Sequence, residues 1–350
     1  MASWGPVFFA LSRPVLPSTS VRAYNLGESP FNPNQLRSTR VNTGRHEFEL
    51  IAWIRQQTRA HERIPLGIGD DTAALAFPHP ANCLITVDML MEGVHFTMPP
   101  ATPRQIGHKA LAVNLSDIAA MAGRPLAAVI SLALPRGIPA KFAEELYAGI
   151  GELADQFGVA IAGGDTNSWQ GPLVISITAL GETTDRGAVT RSGARPGDAI
   201  FVTGDLGGSL AGKHLDFTPR INEALKLHGT VDLHAMLDVS DGLAADLQHI
   251  VEESGVGVIL DESAIPISPA ARTAAGQDGR SAWEHALSDG EDFELLFTVS
   301  DEDAARLLAN SPLEIPLSRI GTVVDGNEMQ LRTAAGEVIP LPVSGWKHLL

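Results

Sequence analysis

Apolar runs that end in an acidic turn recur along this chain: LGIGDD at 66–71, TVD at 86–88, AGGDTN at 162–167, TGDLGGS at 203–209 and LDVSDGL at 237–243. A short apolar run closed by Gly, Asp or Ser reads as a buried strand leaving a sheet. Helical patterns stand between these runs, and one of them, IGHKALAVNLSDIAAM, holds Asp117 on a largely apolar face. Strands alternating with helices predict an α/β chain with mixed sheets, in which ligands gather at strand ends. Carboxylates at several such ends are the donor type of hard divalent cations. Mg²⁺ commonly takes one or two carboxylates together with substrate phosphates.

At 350 residues the chain is long enough for two domains, each with a core. We expect a poorly ordered extension over residues 1–44, an α/β domain over 45–187 and a second over 188–350, with TRSGARPGD (190–198) as the junction. The extension is rich in Ser, Arg and Pro; a transit peptide or an over-long start stays open, whereas Arg13 and Pro14 interrupt its apolar stretch, unlike a secretory signal. A net charge of −16 argues against general nucleic-acid binding, and no apolar run reaches the roughly 18 residues of a spanning helix. With one cysteine, Cys83, the chain holds no internal disulfide; the residue is expected as a buried strand thiol, and the setting as cytoplasmic.

The helix EFELIAWIRQQT (47–58) precedes the first acidic turn, helices follow near 104–122 and 140–157, and strands AAVISLAL, VAIAGG and LVISITALGE complete the first half. The second half reads as strands AIFVTG, AMLDVS, GVILD, FELLFTV and SRIGTVV around the helix DGLAADLQHIVEESG. No internal repeat of fixed period stands out.

Each candidate has a plain structural reading beside the chemical one. Asp70, Asp71 and Asp241 are residue types that cap helices and shape turns. Asp117 needs a partner wherever it is buried, and Lys109 is one possibility. Gly207, Gly212 and Lys213 imitate a phosphate-binding loop, but His214 stands where Ser or Thr would hold Mg²⁺, so a Gly-rich turn opening a helix is the better reading. Arg191 at the junction is a fork-shaped donor suited to phosphate or to a surface ion pair. His95, Glu291 and Trp346 are each compatible with a substrate contact or with ordinary loop and edge roles.

Taken in order, LGIGDD, ITVDMLMEGVHF, GHKALAVNLSDIAAM, AGGDT, TRSGARPGD, LDVSDGL and SDGEDFELLF resemble the thiamine-monophosphate kinase family, within the aminoimidazole ribonucleotide synthetase-like superfamily. The resemblance runs from about Glu47 to the C-terminus. It implies the two-domain architecture of that superfamily, a homodimer paired through the first domain, ATP as co-substrate, several Mg²⁺ ions, and thiamine monophosphate as the phosphate acceptor. Carried over by motif, Asp71, Thr86, Asp88, Asp117, Asp165, Asp238 and Asp241 would be metal ligands, with Val87 offering only its backbone carbonyl. Asp117 and Asp241 would be central to catalysis. Gly164, Asp165, Arg191, Ser240 and Tyr147 would meet ATP, and His95, Glu291 and Trp346 thiamine phosphate. SDG replaces the family's usual SGG before Glu291, and the stretch after Gly212 is shorter by about a helix. The alternatives are a sister ATP-using synthetase of the superfamily and a nucleotide-binding regulator without catalysis. Phosphoryl transfer to a phosphate acceptor is expected to be direct and in line.

Overall fold

The computed structural model describes residues 53, 54, 56–64, 76, 82–341 and 345. The expected extension, Asp70, Asp71 and Trp346 lie outside them, as does most of the helix expected at 47–58.

The first half supplies strands β1 (Cys83–Met91), β2 (Arg124–Pro135), β3 (Ala160–Trp169) and β4 (Val174–Glu182), with helices α1 (Pro103–Ala120) and α2 (Ala140–Phe157). Their sheet has the order β1-β4-β2-β3; β4 is antiparallel to both neighbours, and β2 and β3 run parallel. The second half contributes β5 (Ala199–Thr203), α3 (Lys213–Asp216), α4 (Ile221–Thr230), β6 (Leu233–Asp238), α5 (Leu243–Ser254), β7 (Gly257–Asp261), α6 (Pro269–Asp278), α7 (Ala282–Ser288), β8 (Leu295–Val299), α8 (Asp301–Ala309), β9 (Leu317–Val324), β10 (Met329–Arg332) and β11 (Val338–Pro340). Its seven strands run β11-β10-β7-β9-β5-β8-β6. Mixed sheets with helices packed on them match the expected α/β class.

Helix α1 is the element on which the site depends. Thr102 caps it, Gln105 completes a capping box and Pro103 opens its first turn, so its start is defined locally. It packs on β1, β2 and β4 of one sheet and on β6, α3 and α4 of the second half. Being covered on both sides, it is buried almost all round, polar Lys109, Asn114 and Ser116 included, unlike a surface helix. It crosses α2 closely at two glycines: a Cβ on Gly107 would lie 1.9 Å from the Leu146 carbonyl oxygen, and one on Gly149 2.0 Å from that of Arg104.

One core joins both halves, running from Leu111 and Ile177 to Phe201, Phe217, Phe293 and Phe297. Phe217 and Phe293 stack with centroids 4.0 Å apart. A second core fills the other face of the larger sheet, under α5 and α7. The proposed domain boundary near residue 188 falls in the linker between β4 and β5, and the first core continues across it.

Cys83 is exposed, not the buried thiol that its apolar neighbours led us to expect. It stands at the edge of a β1 face that also exposes Ile85, Val87 and Met89. Apolar alternation in β1 thus reports a surface that stays open in the single chain. Among the described residues no helix is long and apolar enough to cross a membrane.

Candidate functional site

Side chains alternate along β1, so Thr86 and Asp88 turn toward α1 while Val87 faces outward. The Thr86 hydroxyl donates to Asp117 Oδ2 on α1. The backbone N–H of Asp88 donates to Asn114 Oδ1 at 3.2 Å, three residues earlier on α1. Ser116 Oγ donates to Asp238 Oδ2 at 2.5 Å, which ties the end of β6 to the same helix. Asp88, Asp117 and Asp238 therefore converge from a strand of each sheet and the helix between them. Lys109, considered above as a partner for Asp117, instead pairs with Glu291 at 2.6 Å.

Packing carboxylates together in a poorly hydrated place disfavours their charged forms. Burial, then the charge of Asp117, raises Asp88 to about 7. Burial raises Asp117 too, against the Thr86 hydrogen bond and the Arg191 guanidinium. Asp238 reaches about 7 through burial first and Asp117 second. Asp246, at the start of α5, is pushed to about 8 by burial and then by Asp238 and Asp241; its Oδ2 accepts from the N–H groups of Asp241 and Gly242, both at 3.0 Å.

The donors present are carboxylate, hydroxyl and carbonyl oxygens, which fit Mg²⁺ and not a soft metal. Among the described residues no three His, Cys, Asp or Glu side chains are arranged to hold a metal by themselves. For Mg²⁺ that is no obstacle, because water and phosphate oxygens usually complete its octahedron.

The acidic row lines two cavities. One, of about 420 Å³, is bordered by Thr86, Asp117, Asp238, Thr190 and Arg191. The other, of about 330 Å³, is bordered by Asp88, His95, Ser240, Asp241, Glu291 and Phe293. Glu291 is held by its own backbone: its N–H donates to the Ser240 carbonyl at 2.7 Å, and its carbonyl accepts from Ser209 Oγ at 2.6 Å. Its φ of 54° lies in the left-handed region, which a non-glycine residue keeps only when its surroundings fix it.

Tyr147, Gly164 and Asp165 are not brought to the acidic row; they border a separate recess of about 100 Å³. The register pairs Asp165 with Ser131, Ser131 with Ser176 and Ser176 with Met89, so Asp165 lies on the sheet face opposite Asp88. Three strand spacings of about 4.8 Å also separate β1 from β3. Tyr147 is a buried core residue whose hydroxyl shares a 2.6 Å hydrogen bond with Thr58 Oγ1.

The Gly-rich turn at 207–213 has its own explanation. The N–H of Gly207 goes to the Asp292 carboxylate at 2.9 Å and that of Gly208 to Asp289 Oδ2 at 3.0 Å. A Cβ at Gly208 would lie 2.5 Å from the Ala271 nitrogen. These glycines let the turn approach α6 and α7, and their donors are taken by protein carboxylates. Asp289, the departure from the family's SGG, borders the 330 Å³ cavity and is braced by Arg280 at 3.0 Å and His285 at 2.9 Å.

Sequence reasoning missed Asp246 and the bracing roles of Asn114, Ser116 and Lys109. An Asp early in a helix looks like any first-turn acid. For Asn114 and Ser116 the spacing to Asp117 inside an apolar helix was the available signal.

Two family models match the chain: "AIR synthase related protein, N-terminal domain" over residues 69–183, and "AIR synthase related protein, C-terminal domain" over 195–333. The thiamine-monophosphate kinase of Rhodopirellula baltica is 42% identical over 309 residues, which covers 86% of this chain and 97% of that relative. A crystal structure of thiamine-monophosphate kinase from Stenotrophomonas maltophilia K279a is 39% identical and superposes with a TM-score of 0.71, covering 83% of this chain and 97% of the other. AaThiL complexed with AMPPCP and TMP is 31% identical with a TM-score of 0.68, over 89% and 100% of the two chains. Likeness over 83–89% of this chain, at this identity, joins the motifs, the two sheets and the acidic row in one assignment: the chain belongs to the thiamine-monophosphate kinase family.

Proposed function

We propose that this protein transfers the γ-phosphoryl group of ATP to thiamine monophosphate, giving thiamine diphosphate and ADP, by direct in-line displacement. The observation that carries the reading is the row of buried and half-buried carboxylates lining two cavities at once, since a group moving between two phosphorylated ligands must cross such a row.

In this reading Asp71, Thr86, Asp88, Asp117, Asp238 and Asp241, with the Val87 carbonyl, hold several Mg²⁺ ions, and Asp165, on the opposite face of the first sheet, stands apart from them. Bound there, the ions would neutralise the phosphates and stabilise charge on the transferring group. The chain's own residues set the geometry: Thr86 fixes Asp117, Ser116 fixes Asp238, and Asp246 holds the loop that carries Asp241. Arg191 and Ser240, which border the cavities at the acidic row, are the proposed ATP contacts, whereas Gly164, Asp165 and Tyr147 border a separate recess. The Arg191 guanidinium acts on Asp117 against the effect of burial, which suits a phosphate donor at the edge of the row.

His95, Glu291 and Trp346 are the proposed contacts of thiamine monophosphate. The 330 Å³ cavity carries Asp88, Asp241, Asp289 and Glu291, a charge that suits the cationic thiazolium and aminopyrimidine of thiamine. The acceptor phosphate needs no strong base, because its second pKa is about 6 and it is largely ionised at neutral pH. Two such anions at about 4 Å repel by roughly 4 kcal/mol per charge pair at an effective dielectric of 20, which cations held by the acidic row would offset.

We assign the protein to the cytoplasm, as a homodimer. The support for the dimer is the outward face of β1, where Ile85 is 68% and Val87 61% exposed in the single chain, as expected of a surface that a second copy covers. The in-line step is tested with ATP chiral at the γ-phosphorus. Inversion in the thiamine diphosphate formed is expected; retention would mean a phosphoenzyme and end the direct-transfer reading.

A further inference from the structure

Helix α1 buries a cation that the proposed chemistry does not use. Lys109 is 0% exposed, on a helix packed between the two halves. A buried ammonium is costly unless charge and hydrogen bonds match it. Here Nζ donates to Glu291 Oε1 at 2.6 Å and to the backbone carbonyl of His95 at 2.7 Å. Both partners border the 330 Å³ cavity, and they come to it from opposite halves of the chain. Lys109 stands behind that wall without lining it.

Stability alone is a poor reason for this arrangement. Buried ion pairs can often be exchanged for apolar residues of similar volume with little loss, so what such a pair does supply is geometry. Glu291 is pinned through its N–H, its carbonyl and its left-handed φ, and Lys109 removes the remaining freedom by taking Oε1. Among the described residues no hydrogen bond engages Oε2, which leaves that oxygen for a ligand donor. The second hydrogen bond of Lys109 fixes the turn that carries the His95 imidazole, whose Nδ1 accepts from the Met91 N–H at 3.0 Å.

We propose that Lys109 is a positioning residue for acceptor recognition: it clamps the Glu291 carboxylate and the His95 turn together, so that Glu291 offers one fixed acceptor oxygen to an amino group on a cationic heterocycle. This rests on reading the 330 Å³ cavity as the thiamine monophosphate site. Its effect falls on capture of the acceptor and leaves ATP binding alone.

The test is a double-mutant cycle on the full chain with Lys109→Met, Glu291→Gln and the pair together. KM is measured for thiamine monophosphate and for ATP, with thermal melting as the folding check. Lys109→Met should raise KM for thiamine monophosphate about tenfold or more, the scale on which small misplacements act, while KM for ATP stays within about twofold. Because Lys109 acts through Glu291, the double variant should bind the acceptor no worse than Glu291→Gln alone. An unchanged acceptor KM in Lys109→Met, or losses that multiply in the double variant, overturns the proposal. Should Lys109→Met fail to fold, the uncharged pair compared with Glu291→Gln still decides. If the wild-type protein forms no thiamine diphosphate, the reading of the site has failed instead, and the two failures are told apart at once.

Discussion

Asp117 shows how one residue joins packing to the proposed chemistry. Its carboxylate takes the Thr86 hydroxyl, and its charge raises Asp88 and Asp238. Asp117→Asn keeps the shape and removes the charge, so turnover should fall by about a hundredfold or more while cooperative melting persists; near-normal activity would remove Asp117 from the metal site. Gly164 makes a purely steric prediction. A Cβ there would lie 1.9 Å from the Ile130 carbonyl oxygen, so Gly164→Ala must push β3 off β2 and lower stability by about 1–3 kcal/mol, read by denaturant titration. At this scale the sequence is legible where a residue type and its local setting agree. Asp88, Asp117, Asp238 and Asp241 stand at the ends of apolar runs or inside one, where an unexplained acid is conspicuous. Lys109 gave no such signal, because its carboxylate partner is 182 residues away and only the fold brings them together.

Among the elements, those with a strong local pattern were readable: β2, β4, α1, α2 and α5 fall close to their expected positions. The sequence reading passed over α4, α6, α7 and α8, the short strand β10 and the edge strand β11. The strands have only 4 and 3 residues, and α6 (PAARTAAGQD) carries almost no apolar stripe, so tertiary contact decides their state. Strand β1 misled in a different way. Its alternation is genuine, but both faces are apolar in part, and the face with Cys83, Ile85 and Val87 is open in the single chain. The proposed dimer makes a prediction for this element. Val87→Lys should shift the protein from dimer to monomer in size-exclusion chromatography with light scattering; a monomeric wild type, or a dimeric variant, would contradict the proposed interface.

For the molecule as a whole, the proposed metal role of the acidic row makes a prediction that links pH to metal. In the unfolded chain these carboxyls ionise near 3.8, whereas the fold holds Asp88 and Asp238 protonated to about 7 and Asp246 to about 8. Between those values the folded state binds more protons, so metal-free protein should lose stability as pH rises from about 4 to about 8. Mg²⁺ at pH 8 should restore it, because cation binding favours the ionised carboxylates. Melting curves in chelator and in Mg²⁺ across this range check the sign; a metal-free protein that gains stability over the same interval would refute the account of the acidic row.

The two sheets, the shared core and the net charge of −16 make sense together if the protein stores acid for cations that arrive with phosphorylated ligands. The most direct test is product analysis with the purified wild-type protein, Mg²⁺, ATP and thiamine monophosphate. Stoichiometric thiamine diphosphate and ADP are predicted, and both should vanish when Mg²⁺ is chelated. Binding of ATP without any thiamine diphosphate, across divalent metals and pH 7–8.5, would contradict the assignment.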